Sequence, residues 1–222
     1  MLTSYLKYLI RRKSKYKIHS PFVYEFMTKV LYDKGSNHDY ETILRISRLL
    51  DGKKFATRSR RKEARLLYRL VNYLEPESVV SFGTLSALNT TALALGNLQT
   101  KVYLDHSADF LETMNSMGVV NVNLLRRDKP EQEQLERLSL DYVFFGLNDF
   151  GEDTWNKLEE AYAQANEETV LIFEGIHHSG RTEDAWEAII SDEDVTLSMD
   201  LYSVGIVFFR EGIEKQDFIL KY

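Results

Sequence analysis

The chain has 222 residues, of which 44% are hydrophobic and 12% aromatic, so it can bury a full core without a metal or a disulfide. It contains no cysteine, which excludes thiol nucleophiles, thiolate metal sites and structural disulfides. No apolar run has the length of a signal-peptide core or of a membrane span, so we expect a soluble cytoplasmic protein.

The net charge of -6 conceals a strong asymmetry along the chain. Residues 1–72 hold 18 Lys and Arg against 6 Asp and Glu, whereas residues 73–222 hold 10 against 28. The first part is therefore at +12 and the second at -18. This split predicts either that a basic N-terminal part docks on its own acidic domain, which is favoured, or that it binds an anionic partner such as nucleic acid or lipid headgroups.

Helical spacing of apolar residues dominates the first 75 residues and predicts a basic helical N-terminal extension over 1–75. Ser20 and Pro21 have the character of a helix N-cap and first helical residue. The cluster from Arg58 to Lys62 is either a solvated helix start or a clamp for an acidic substrate. The predicted segments are helices over 2–10, 21–32, 43–50 and 66–74, with a basic loop over 53–62.

From Ser78 onward, short apolar runs alternate with helical stretches, a pattern typical of βαβ units in a parallel sheet. The last two strands are separated only by residues 202–205, and so short a connection makes an antiparallel hairpin. We expect one Rossmann-like α/β domain over 76–222, with a mostly parallel sheet, an antiparallel C-terminal hairpin and helices on both faces. The predicted strands are 79–82, 102–104, 122–125, 142–145, 170–173, 196–201 and 206–209, and the helices are 90–98, 110–117, 132–138, 155–165 and 183–190.

Ligands of open α/β sheets bind beyond the carboxyl ends of the strands. In the turn after the first strand, Gly83 allows a tight bend and a close backbone approach, although an ordinary β-to-α turn would contain it too. Asp105 follows the second strand about twenty residues later, where an acidic side chain accepts the ribose hydroxyls of an adenosine-containing cofactor. The alternative is that Asp105 caps the next helix together with Ser107.

The segments after the fourth and fifth strands supply further polar side chains for general base chemistry or a loose metal site. For one of the two adjacent histidines, a satisfied structural role is favoured over metal ligation. These side chains are Asn148, Asp149, Glu174, His177 and His178.

Several segments along nearly the whole chain carry a family resemblance. They are Ile18 to Tyr24, Ser81 to Thr91, Leu140 to Phe144 and, most specifically, the C-terminal third that ends in Gly205 to Arg210. With these segments the chain resembles class I S-adenosylmethionine-dependent methyltransferases common in Bacteroidetes, which are related to small-molecule O-methyltransferases. The resemblance implies the methyltransferase sheet, a small-molecule methyl acceptor, and S-adenosylmethionine bound near Gly83, Thr84, Ser86, Ala87, Asp105 and His106.

The cofactor loop departs from the pattern of this family at two positions. Ser81 stands where an acidic residue is usual, and Ala87 stands where a second glycine is usual. These losses are typical of relaxed selection for cofactor binding, so they also support a different class of protein: a catalytically degenerate methyltransferase fold that serves as a binding or scaffold protein.

The two carboxylate sites that hold a divalent cation in metal-dependent relatives are also altered. After the fourth strand Gly146-Leu147 replaces an aspartate-glycine pair, and after the fifth Glu174-Gly175 replaces two aspartates. Glycine cannot ligate a metal through a side chain, so we expect no metal site and metal-independent transfer. His177 or Glu174 would then be the base, and Asn148 would orient the acceptor.

The favoured hypothesis is therefore a metal-independent methyltransferase that acts on a small molecule, with the degenerate scaffold as the alternative. A nucleic-acid or membrane-surface protein that uses the basic extension ranks last, because the acidic remainder would repel the same partner. The sequence also allows a homodimer.

Overall fold

The fold is described from a computed structural model, for residues 2–33, 39–51, 57–83, 86–125, 138, 140–146 and 150–222. The chain divides into two compact units. The terminal unit combines Met1–Tyr32 with Leu140–Tyr222, and the central unit is Asp33–Ser139. The boundary expected between residues 75 and 76 stays a prediction.

Helices and strands alternate along most of the described chain. A 3-10 turn, Lys15–Lys17, follows the first helix, and a π-helical turn, Met27–Leu31, continues the second. The α-helices are α1 Leu2–Arg11, α2 Pro21–Phe26, α3 Asp39–Asp51, α4 Arg58–Leu74, α5 Ala87–Gly96, α6 Ala108–Ser116, α7 Glu152–Ala163 and α8 Gly180–Ser191. The strands are β1 Ser78–Phe82, β2 Lys101–Leu104, β3 Val122–Leu124, β4 Tyr142–Phe145, β5 Val170–Glu174, β6 Leu197–Asp200, β7 Val204–Phe208 and β8 Gln216–Ile219.

The central unit contains three parallel strands in the order β3-β2-β1. Every residue of β1 is buried, as expected for a strand covered on both faces. Helix α5 is apolar and buried over nearly its whole length, and it packs closely on α4 because Gly96 carries no side chain. A Cβ at Gly96 would lie 2.7 Å from the Tyr68 carbonyl oxygen of α4.

The terminal unit contains five strands in the order β4-β5-β7-β6-β8. β4 and β5 are parallel, β7 is antiparallel to both of its neighbours, and β8 is parallel to β6. Helix α8 lies against β7 at Gly205, where an added Cβ would be 2.5 Å from the Trp186 ring. The N-terminal segment is held at β8, since the Tyr8 hydroxyl donates to the Leu220 carbonyl at 2.6 Å and Lys13 forms a β-bridge with Leu220.

The expected parallel β/α steps and the antiparallel hairpin are confirmed in the described residues. The basic loop predicted over 53–62 is wrong from Arg58 onward, because the Thr57 hydroxyl accepts the Arg60 amide at 3.4 Å and starts α4 there. Strand β8 is missing from the predicted elements, and α5 begins at Ala87 rather than at Thr90. The helix predicted over 132–138 falls on residues outside those described, apart from residue 138.

Candidate functional site

The loop after β1 joins a buried strand directly to the N-terminus of a helix. Gly83 has a φ of 79°, a left-handed conformation that favours glycine. The Ser86 hydroxyl accepts the Asn89 amide at 3.2 Å and so caps α5. A glycine turn that leads into a capped helix N-terminus presents backbone N–H groups to a ligand. Thr84 lies outside the described residues.

Two side chains of this loop are buried. Ala87 begins α5, and its methyl group is buried in the core. Its carbonyl accepts the Thr91 hydroxyl at 2.7 Å. The Ser81 hydroxyl, at the end of β1, is buried and makes no hydrogen bond to any described residue. An unsatisfied buried polar atom is unusual in a native fold.

Asp105 and His106 lie beside this loop at the same edge of the sheet. Ser81 of β1 pairs with Leu104 of β2 in parallel register, so the carboxyl ends of the two strands are adjacent. Ser107 supplies the cap of α6 by accepting the Phe110 amide at 3.3 Å. The helix cap proposed as an alternative role for Asp105 is therefore filled by Ser107.

The His106 ring is fixed in orientation and in tautomer. It stacks on Phe110, with ring centroids 3.8 Å apart, and its Nδ1 accepts the Ser107 backbone amide at 2.8 Å. Burial lowers the pKa of His106 from its ordinary value, against the raising effect of the Asp105 charge. The lowered pKa favours the neutral ring, and because Nδ1 acts as an acceptor, the proton of the neutral ring lies on Nε2.

A buried polar contact behind the loop was not predicted from the sequence. The Asn89 side-chain amide in α5 donates to Glu63 Oε1 in α4 at 2.8 Å, and both residues are buried. The Asn89 backbone amide donates to the Ser86 hydroxyl, which caps α5. Asn89 therefore connects Glu63 to the loop after β1. Periodicity could not reveal this pair, since the two residues are 26 positions apart.

In the terminal unit, Glu174 ends β5 and a tight turn follows. Gly175 has a φ of 75°, and its amide donates to the Ser203 carbonyl at 2.7 Å. The turn aims His177 at β6, where its Nε2 lies 2.8 Å from Asp200 Oδ2. Its Nδ1 lies 3.4 Å from Glu183 Oε1, an ion-pair distance.

His177 is therefore surrounded by negative charge. Burial alone would lower the pKa of His177, but the hydrogen bond and charge of Asp200 and the charge of Glu183 outweigh it and raise the pKa. The ring also stacks on Tyr202 at 5.2 Å between centroids. Both ring nitrogens face carboxylates, which is the arrangement of a structural imidazolium.

The predicted site residues belong to different units. Gly83, Ser86, Ala87, Asp105 and His106 lie in the central unit, whose strand ends bring them together. Glu174 and His177 belong to the terminal unit, and Asn148 lies outside the described residues. Within the described ranges, no group of three or more His, Asp or Glu side chains is arranged to hold a metal ion. In that same part of the chain, no helix is long and apolar enough to cross a membrane.

No family model matches the chain, and no curated protein sequence matches it either. Solved structures do match. Cofactor-bound Rv0187 from MTB is 17% identical at a TM-score of 0.57, with 88% of this chain and 100% of that chain covered. The SAH-bound methyltransferase PaMTH1 of Podospora anserina is 13% identical at a TM-score of 0.59, covering 87% and 97%.

A third match is the O-methyltransferase TomG of Streptomyces achromogenes, in complex with SAM. It is 15% identical at a TM-score of 0.57, with 85% of this chain and 95% of that chain covered. Likeness at this level of identity establishes the fold. The predicted α/β class, a Rossmann-like methyltransferase sheet with an antiparallel C-terminal hairpin, is confirmed.

Proposed function

We propose that the chain is a class I S-adenosylmethionine-dependent methyltransferase of the family that it resembles, acting in the cytoplasm on a small molecule and without a metal. The observation that carries this proposal is the position of Asp105. It stands at the carboxyl end of β2, beside the Gly83 turn, and the N-cap of the following helix is Ser107. The fold shared with SAM-bound and SAH-bound methyltransferases supports the same cofactor here.

The residues of the central unit fit the parts of this cofactor. The Gly83 turn and the start of α5, with Thr84, Ser86 and Ala87, would hold the methionine portion through backbone groups. Asp105 would accept the ribose hydroxyls, and the neutral His106 ring, held against Phe110, would lie along the adenosine. The bound cofactor supplies a methyl group activated on a sulfonium. The unsatisfied Ser81 hydroxyl offers a further polar contact.

We assign the base to Glu174 rather than to His177. A base needs a free lone pair, and both nitrogens of His177 face carboxylates that stabilise its charged form. Glu174 is only half-buried at the end of β5, and Asn148 would orient the acceptor. Gly146 and Gly175 offer no side-chain ligand, which supports transfer by alignment and proton removal alone.

Transfer of a labelled methyl group from S-adenosylmethionine to a panel of small phenols and carboxylic acids tests this function. We expect equal transfer with EDTA and with Mg²⁺. Glu174→Gln should lower kcat at least about tenfold, which is less than the rate enhancement that a general base usually provides. Glu168→Gln, an exposed glutamate just before β5, is the matched control and should retain activity. Transfer that requires Mg²⁺ would overturn the metal-independent assignment.

A second function, a degenerate methyltransferase fold that binds a partner without catalysis, is favoured by Ser81. Its buried hydroxyl replaces a carboxylate of the resembling family and is left without a hydrogen bond to the described residues. This function predicts no methyl transfer to any acceptor, and no gain or loss of cofactor affinity in Ser81→Ala.

A further inference from the structure

A cavity of about 280 Å³ lies within the terminal unit, between α1, α8, β6 and β8. We call it the α1 cavity. Its volume is just below the range of small-molecule pockets, which is roughly 300–1,000 Å³. The cavity therefore suits a metabolite of few heavy atoms.

One wall of the α1 cavity is basic. Ser4, Lys7, Tyr8 and Arg11 line it at spacings of three and four residues, so they form one stripe of α1. The buried Tyr8 hydroxyl, bonded to the Leu220 carbonyl, fixes this stripe over β8. Lys7 and Arg11 form no ion pair with any residue that the structure describes, although carboxylates line the same cavity.

The wall formed by α8, β6 and β8 is acidic, and its four carboxylates fall into two pairs. Asp200 and Glu183 both lie against His177, whose single positive charge can offset only one of their two negative charges. Asp217 Oδ1 accepts the Ser198 hydroxyl at 2.6 Å, which fixes the carboxylate without neutralising it. Like Glu187 of α8, Asp217 has no ion pair among the described residues.

The cavity also has an apolar surface. Trp186 is 4% exposed and is locked by its contact with Gly205, so its ring is a rigid part of the cavity. Ile190 and Phe218, both half-buried, extend this surface. A ligand that fills the cavity therefore also covers an apolar patch.

We propose that the α1 cavity binds a small zwitterion, a molecule with one carboxylate, one ammonium group and an apolar part, of which a free L-amino acid is the simplest kind. Lys7 and Arg11 would receive the carboxylate, and Glu187 and Asp217 the ammonium. A ligand of one charge would satisfy one wall and leave the other unpaired, so complementarity favours both charges in one molecule. The site involves the terminal unit alone and does not depend on methyl transfer.

The test is calorimetric titration of the full chain with each of the twenty standard L-amino acids. At roughly 10 mM ligand, well above the millimolar Kd expected for so small a molecule, at least one should give saturable binding. The amide of the best binder, which lacks the carboxylate, and its deaminated acid, which lacks the ammonium, should each bind at least about tenfold more weakly, because each loses one charged contact.

Variants identify the site. Arg11→Gln and Asp217→Asn should each weaken the best binder at least about tenfold, a loss typical of one charged hydrogen bond. Lys17→Gln and Glu214→Gln remove exposed charges of the same signs outside the cavity and should leave the affinity unchanged. Binding of none of the twenty amino acids, single-charge analogues that bind equally well, or unchanged affinity in both cavity variants would overturn the proposal. A parallel titration with S-adenosylmethionine reports separately on the proposed function.

Discussion

In the proposed function, recognition of the nucleoside depends on Asp105. Asp105→Ala should lower the affinity for S-adenosylhomocysteine at least about tenfold, because it removes charged hydrogen bonds worth roughly 1.5–3 kcal/mol each. Asp109→Ala, an acidic residue in the first turn of α6, is the matched control. Isothermal calorimetry of both variants measures the difference. Equal affinities for wild type and Asp105→Ala would exclude the assigned ribose contact.

His177 gives the protein a predictable dependence on pH. Asp200 and Glu183 raise its pKa above the ordinary value of 6.5, so the charged ring stabilises the fold. That stabilisation is complete below the ordinary pKa and is lost as pH rises through the raised pKa of the folded state. The free energy of unfolding of wild type should therefore fall as the pH rises above about 6.5, and it should fall less in His177→Gln.

Denaturant unfolding at a series of pH values measures this effect. His178→Gln, which removes the exposed neighbouring histidine, serves as the control and should keep the wild-type slope. If His177→Gln has that same slope as well, the imidazolium does not contribute to folding.

Between elements, the Glu63 contact to Asn89 joins α4 to the first turn of α5. Glu63→Ala would leave a buried amide unpaired and should cost about 1–3 kcal/mol of unfolding free energy. Glu63→Gln keeps an acceptor oxygen and should cost less. Urea unfolding of the two variants tests the contact, and an alanine variant as stable as the glutamine variant would contradict it.

Gly205 sets the distance between α8 and β7. In Gly205→Ala the new methyl group would meet the buried Trp186 ring, so we expect a loss of about 1–3 kcal/mol by overpacking. Gly180→Ala is the control, since a Cβ there meets nothing within 4 Å. Thermal unfolding of both variants measures the difference, and equal midpoints would mean that α8 can shift without cost.

Most elements could be predicted because their signals are local. Strands such as Tyr142–Phe145 are continuous apolar runs, and a connection as short as 202–205 allows only a hairpin. Strand Gln216–Ile219 has only two apolar residues and is the last strand in its unit's order. Its sequence therefore has little of the apolar pattern that predicts a strand. The start of α4 was obscured because its basic residues favour helix as readily as loop.

Residues of the candidate site could be predicted only where the position of a residue along the chain, or its type, indicates its role. The distance along the chain from Gly83 predicts Asp105 as a cofactor contact, which stays a prediction, whereas the cap role predicted for Ser107 is present in the structure. The ion pairs of His177 and the buried partner of Asn89 join residues far apart in sequence. Such contacts depend on the packed structure, and no periodicity encodes them.

At the scale of the whole molecule, the basic beginning of the chain is docked rather than extended. Residues 1–32 belong to the same compact unit as residues 140–222, and Tyr8, Lys13 and Tyr32 all bond to the last residues of the chain. The expected docking of the whole basic part, residues 1–72, on the acidic remainder stays a prediction, because residues 33–72 belong to the central unit. The packing of residues 1–32 also brings Lys7 and Arg11 into the lining of the α1 cavity, together with four carboxylates.

The fold is that of SAM-bound and SAH-bound methyltransferases, so cofactor binding is the property that separates an enzyme from a scaffold on the same fold. Calorimetric titration of the wild-type chain with S-adenosylmethionine and S-adenosylhomocysteine, in EDTA and in Mg²⁺, measures it directly. We expect saturable binding of both with a Kd of about 1–100 μM that Mg²⁺ does not change. Absence of binding by either compound at about 1 mM would contradict the proposed function and favour the scaffold.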